Sequence, residues 1–161
     1  MPSQKVLDKL YIDIAFRIAR ESKAVRRKVG AIIVKNNAIR SYGYNGTPTG
    51  EDNCCEYEEK EALVTKPNVI HAEINSVYKA YNSGVKGATM YITDAPCINC
   101  ATQIGQINAM MSENVIDEVI YARLYKSDEG AQYLISKGVK VRKVEISVFK
   151  EHVDENERVI S

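Results

Sequence analysis

Two short motifs constrain the fold of this chain more than any other feature. His71-Ala72-Glu73 begins one predicted helix, at about 71–83, which Gly84 stops. Pro96-Cys97-Ile98-Asn99-Cys100 opens the next, at about 96–111, with the proline in a permitted first-turn position. One β-prone run, 89–93, separates them. Beyond lie a predicted strand at 115–121, a helix at about 128–136 ending before Gly138, and a strand at 139–148. This alternation implies right-handed crossovers, parallel later strands and helices on both faces of a sheet. Helix N-termini from neighbouring crossovers can meet at the carboxyl edge of such a sheet. His71, Cys97 and Cys100 are therefore expected together.

Upstream, Val6, Leu7, Leu10, Ile14, Ile18 and Ala19 recur at helical spacing, predicting a helix over about 4–22. The runs 29–34 and 38–44 flank Lys35-Asn36-Asn37 and read as a hairpin. Residues 45–69 hold Gly, Pro and acids with weak periodicity and read as a long loop, with an acidic insertion at about 47–69. At 161 residues and 45% hydrophobic content, the chain is expected to form one domain over 1–161 without needing disulfides. No apolar run approaches the ~18 residues of a membrane span. Met1-Pro2-Ser3-Gln4-Lys5 leads into a charged segment unlike a signal peptide. A cytoplasmic protein with no membrane partner is expected.

One imidazole and two thiolates suit tetrahedral zinc, and C-x-x-C lets both sulfurs reach one ion from a single turn. Three protein ligands leave the fourth position to water, the mark of catalytic rather than structural zinc. Glu73, two residues past His71, can take a proton from that water and return it to a substrate nitrogen. A redox C-x-x-C would follow the first strand of a thioredoxin-like unit, with no H-x-E before it. H-x-E followed by P-C-x-x-C is the signature of the zinc deaminases. The adjacent Cys54 and Cys55 lack a His partner and read as free thiols, and His152 reads as solvated.

The net charge of +1 argues against a nucleic-acid partner. Yet Arg17, Arg20, Lys23, Arg26, Arg27 and Lys28 face only Glu21, a cluster that suits a small anion such as a nucleotide phosphate. Glu51, Asp52, Glu56, Glu58, Glu59 and Glu61 face only Lys60. Both clusters also suit plain solvated surface.

One further pattern narrows the reading. Val29-Gly30-Ala31-Ile32-Ile33-Val34, then Gly43-Tyr44-Asn45-Gly46-Thr47-Pro48-Thr49-Gly50, precede His-Ala-Glu. Together these residues resemble the deoxycytidylate (dCMP) deaminase family of the zinc-dependent, cytidine deaminase-like superfamily, over nearly the whole chain. The resemblance implies an α/β fold, a three-layer α/β/α sandwich with a five-stranded mixed sheet. It implies hydrolysis of dCMP to dUMP with release of ammonia, supplying dUMP for dTMP synthesis. It also implies a homohexamer activated by dCTP and inhibited by dTTP, with Mg2+ accompanying the triphosphate.

Residue by residue, His71, Cys97 and Cys100 match the ligands of one Zn2+. Glu73 matches the residue that protonates N3 and then the leaving amine. Asn45 matches the asparagine at the sugar, although Asn-Gly also serves simply as a turn. Arg26 and Arg27 are candidates for phosphate contacts, with effector triphosphates expected around them and the Asn45 loop. Gly46, Ala72, Tyr121 and Tyr125 complete the nucleotide candidates, and each tyrosine equally suits packing. Many members bind a structural zinc in the insertion through Cys and His, but here no His accompanies Cys54 and Cys55. The alternatives are a dual dCMP/dCTP, free cytidine or tRNA adenosine deaminase, or a catalytically silent, zinc-stabilised nucleotide sensor.

Overall fold

The computed structural model describes residues 2–145. Its elements are α1 (Gln4–Ala19), β1 (Gly30–Lys35), β2 (Ala38–Tyr44), β3 (Glu56–Glu59), β4 (Ala62–Thr65), α2 (Ala72–Tyr81), β5 (Ala88–Asp94), α3 (Ile98–Met110), β6 (Ile116–Arg123), α4 (Glu129–Ser136) and β7 (Lys140–Lys143). Five strands form one mixed sheet in the order β2-β1-β5-β6-β7. β1 pairs antiparallel with both β2 and β5, whereas β5–β6 and β6–β7 are parallel. The predicted strand over 139–148 is described at Lys140–Lys143, and its end and His152 lie outside the described residues. Among the described residues no helix is long and apolar enough to cross a membrane.

Strand alternation divides the core into two layers. Ile32, Val34, Tyr91, Ile120 and Ala122 point to the face covered by α1, against Tyr11, Ile12 and Phe16. Ala31, Ile33, Met90, Ile92, Val119 and Tyr121 point to the opposite face, against Ala72 and Val77 of α2, Ala101 and Ile104 of α3, and Leu134 of α4. Helices cover both faces, giving the three layers expected. Two glycines set the spacing, because any Cβ on Gly30 would strike the Ala15 carbonyl of α1, and one on Gly43 the Ala72 carbonyl of α2.

The β1–β2 hairpin turns through Asn36 and Asn37, both left-handed with φ of 53° and 56°, as a two-residue connection of this hand requires. Two expectations need correction. Val6 and Leu10 are exposed, and α1 instead buries Asp8, Tyr11, Ile12, Ala15, Phe16 and Ala19. The helix is rotated by its polar contact, since Asp8 accepts from Tyr91 Oη at 2.9 Å and from Arg142 Nη1 at 3.0 Å. Residues 45–69 are not simply a loop. They carry the β3–β4 hairpin, and Gly46 and Ile70 pair backbone to backbone across its base.

Burial alone would push the Asp8 carboxyl up, but hydrogen bonds from Arg142, Gln4 and Tyr91 outweigh it and hold it below its ordinary 3.8. The ionised form thus contributes stability fully above about pH 4, which is lost as pH falls through the lower folded value. Asp8→Asn is expected to cost about 1.5 kcal/mol in chemical unfolding at pH 7, because Arg142 is partly exposed and keeps Glu118 as a partner. The gap between variant and wild type should close below about pH 3. A gap independent of pH would show that charge plays no part.

Candidate metal centre and cavity

The sheet topology explains why distant residues converge. β1 runs antiparallel to β5, with Ala31 opposite Ile92, so the start of β1 and the end of β5 share one edge. The end of β2 joins them through Gly30 opposite Tyr44. The parallel strand β6 ends there too, with Asp94 opposite Arg123. The N-termini of α2 and α3 open at this edge.

His71 caps α2 and Cys97 caps α3, so the proline precedes the cap rather than entering the first turn. His71 makes no side-chain capping bond, which frees its ring. Its Nδ1 lies 3.2 Å from Cys100 Sγ and 3.5 Å from Cys97 Sγ. The candidate ligand atoms of His71, Glu73, Cys97 and Cys100 all lie within 4.8 Å of one another. Glu73 and Cys100 are buried, whereas His71 faces solvent.

The Cys97 thiol is drawn down to about 4 by the hydrogen bond from Cys100, against burial and with help from His71. Cys100 is pushed up by that same bond and by burial. Burial also raises the Glu73 carboxyl. A divalent cation would relieve all three. The donor set of one imidazole and two thiols, with a carboxyl close by, fits Zn2+. Among the described residues it is the one such group of three or more, and nothing there supports a magnesium site.

A cavity of about 360 Å³ opens over this cluster. Arg26, Arg27, Asn45, Ala72 and Tyr125 line it with His71, Glu73 and Cys97. Asn45 ties down the neighbouring arm, its Oδ1 accepting from Val29 N at 2.9 Å and its Nδ2 donating to Arg27 O at 2.8 Å. Arg27 donates to both oxygens of Asp94, at 2.6 and 3.2 Å, and its guanidinium lies 4.2 Å from the Tyr125 ring centre. Two candidates lie elsewhere. Tyr121 packs in the core under α4, and Gly46 lines a neighbouring hollow with Pro48 and Tyr78. Cys54 is exposed and Cys55 buried, each sulfur within reach of a backbone carbonyl nearby.

Sequence reasoning missed Asp94, Arg123, Thr65 and Gly130. Asp94 is buried and takes Arg123 Nε at 2.7 Å as well as Arg27. Gly130, in the first turn of α4, lets that helix rest on the peptide of the metal loop. A Cβ there would strike Pro96 O and lie 2.8 Å from the Cys97 carbonyl carbon. The only sequence signal for Gly130 was a glycine inside a predicted helix.

A profile of the cytidine and deoxycytidylate deaminase zinc-binding region matches residues 5–116. A deoxycytidylate deaminase of Enterobacteria phage T4 is 32% identical, over 73% of this chain and 78% of its own length. The Homo sapiens deoxycytidylate deaminase is 36% identical, over 74% of this chain and 67% of its own. The crystal structure of dCMP deaminase from cyanophage S-TIM5, in complex with dCMP and dUMP, superposes with a TM-score of 0.76. It is 33% identical and covers 89% of this chain and 100% of that one.

Because α4 rests on the metal loop at Gly130, Gly130→Ala is expected to cost about 1–3 kcal/mol through overpacking. It should also lower the zinc retained per chain after dialysis, read by atomic absorption alongside thermal unfolding. Unchanged zinc content would show that the loop does not depend on that approach.

Proposed function

Since the chain belongs to the cytidine and deoxycytidylate deaminase family, we propose that it hydrolyses dCMP to dUMP and ammonia, with His71, Cys97 and Cys100 holding one zinc ion. The observation that carries this reading is the convergence of those three side chains and the buried Glu73 carboxyl beneath a cavity lined by Arg26 and Arg27. Relatives named deoxycytidylate deaminase, and a solved one in complex with dCMP and dUMP, support the choice of nucleotide.

When bound, zinc supplies a Lewis acid that makes water nucleophilic near neutral pH. Burial holds the Glu73 carboxyl above its ordinary value, which suits it to pass protons in both directions. It accepts one proton from the attacking water and passes it to N3, then accepts the hydroxyl proton at C4 and passes it to the departing amine, as the C4–O bond forms and the C4–N bond breaks. One water is consumed and one ammonia leaves. Asn45 has one amide hydrogen and one lone pair beyond its backbone bonds for a sugar hydroxyl. Arg26 is the phosphate contact, because Asp94 already engages Arg27.

Ammonia release from dCMP, CMP, dCTP, deoxycytidine and adenosine tests the reading. Zinc-loaded protein should turn over dCMP best, and a chelator should abolish turnover. Glu73→Gln should keep its zinc and lose about 10²–10⁴-fold in kcat. Survival of both zinc and turnover in that variant would remove Glu73 from the proton path.

The resemblance in sequence also supports a homohexamer activated by dCTP and inhibited by dTTP. Saturation with dCMP should shift to lower concentration with dCTP and to higher with dTTP. Identical curves would overturn the regulatory reading and leave the catalytic one standing.

A further inference from the structure

Arg26 and Arg27 are adjacent in sequence but differ in their surroundings. The Arg27 guanidinium is held by Asp94, whose single charge it shares with Arg123. Among the described residues no carboxylate pairs with the Arg26 guanidinium. Its Nη1 instead donates to Thr65 Oγ1 at 3.0 Å, and both residues line the cavity. A guanidinium restrained through one N–H by a neutral hydroxyl keeps its charge and its remaining donors for an anion.

The backbone beneath Arg26 is held from the same place. Glu56 is 7% exposed, although Tyr57, Glu58 and Glu59 after it all face solvent. Its carboxylate accepts from Val25 N, at 2.9 and 3.1 Å to its two oxygens, and from Arg26 N at 2.9 Å. Successive backbone N–H groups form an anion cradle, and here a carboxylate 30 residues away fills it. Withdrawing a carboxylate from water is costly unless such donors receive it. Glu56 and Thr65 are also cross-strand partners in the β3–β4 hairpin. One rung of that hairpin therefore holds both the main chain and the side chain of Arg26.

We propose that the Glu56–Thr65 rung is a positioning element that presents Arg26 to the phosphate and so sets the preference for a nucleotide over a nucleoside. This inference rests on the cavity being a nucleotide deaminase site. Neither residue touches the reacting atoms, so their loss should weaken binding of the phosphate and spare the chemical step.

The test compares zinc-loaded wild type, Glu56→Gln, Thr65→Val and Thr65→Ser in dCMP turnover, with dUMP and deoxyuridine as inhibitors. Glu56→Gln turns an amide N–H2 toward a backbone donor. It should raise KM for dCMP roughly tenfold and leave kcat within about twofold. Inhibition by dUMP should weaken by the same factor, and inhibition by deoxyuridine should be unchanged. Thr65→Val keeps the side-chain shape and decides the matter even if Glu56→Gln fails to fold. It should show the same selective loss at about threefold, with Thr65→Ser restoring wild-type behaviour. Equal weakening of dUMP and deoxyuridine, a loss confined to kcat, or no loss in either variant would overturn the inference. A wild type that releases no ammonia from dCMP would instead overturn the functional reading, and this inference with it.

Discussion

The switch in direction at β5 is the constraint on which the rest depends. This strand is buried along almost its whole length, with an antiparallel partner on one side and a parallel partner on the other. An all-parallel sheet would have placed the start of β1 at the far edge. The reversal instead brings Arg27, Asn45, Asp94 and the helix caps His71 and Cys97 to one rim. The close approach of α1 at Gly30 and of α2 at Gly43 holds the hairpin at that position. The same glycines that made the sequence pattern distinctive are thus the ones that let both helices sit against β1 and β2.

Charge at the rim is arranged in two tiers. Asp94 sits beneath two arginines and takes a bond from each, which commits Arg27 and Arg123 to the framework. Below the cavity, two thiols and a carboxyl crowd one imidazole. Ionising all of them together without a cation would place like charges a few ångströms apart in a partly dehydrated nook. The Cys97 thiol is drawn down and the Cys100 thiol pushed up, so the two sulfurs do not ionise alike. Cys97 and Cys100 lie at the N-terminus of α3, where backbone N–H groups favour negative sulfur. The site is therefore electrostatically prepared for a divalent ion before one arrives.

What the sequence made legible was the chemistry with local spacing. His71, Glu73, Cys97 and Cys100 announce themselves because each pair lies within one helical turn, and strand–helix alternation then predicts where the two turns meet. The Asn36-Asn37 hairpin was legible for a similar reason, since its turn chemistry is local. The buried face of α1 was not, because Asp8 sits on that face and Val6 and Leu10 do not. The distant Tyr91 and Arg142, with Gln4 one turn away, make a buried aspartate acceptable there. Asp94 and Gly130 escaped notice for the same cause, as their roles are defined by neighbours 29 or more residues away. For Tyr121 the resemblance offered the nucleotide and packing equally, and the structure sets it on the core face of β6.

The β3–β4 hairpin shows why an element can be invisible in sequence and still shape a site. Its strands are four residues each, and Tyr57 and Leu63 face solvent, so it has no apolar face from which periodicity could be read. Such a hairpin is marginal alone. It is held instead by polar bonds at its base: Gly46 to Ile70, Lys66 N to Cys55 O, and the Glu56 carboxylate to the Val25–Arg26 backbone. These bonds fix the hairpin as a wall of the cavity without requiring it to bury a core. Its sequence is therefore free to vary on the solvent side, while the rung facing Arg26 is not. A segment of this kind can retune what the cavity accepts while leaving the metal centre beneath it undisturbed.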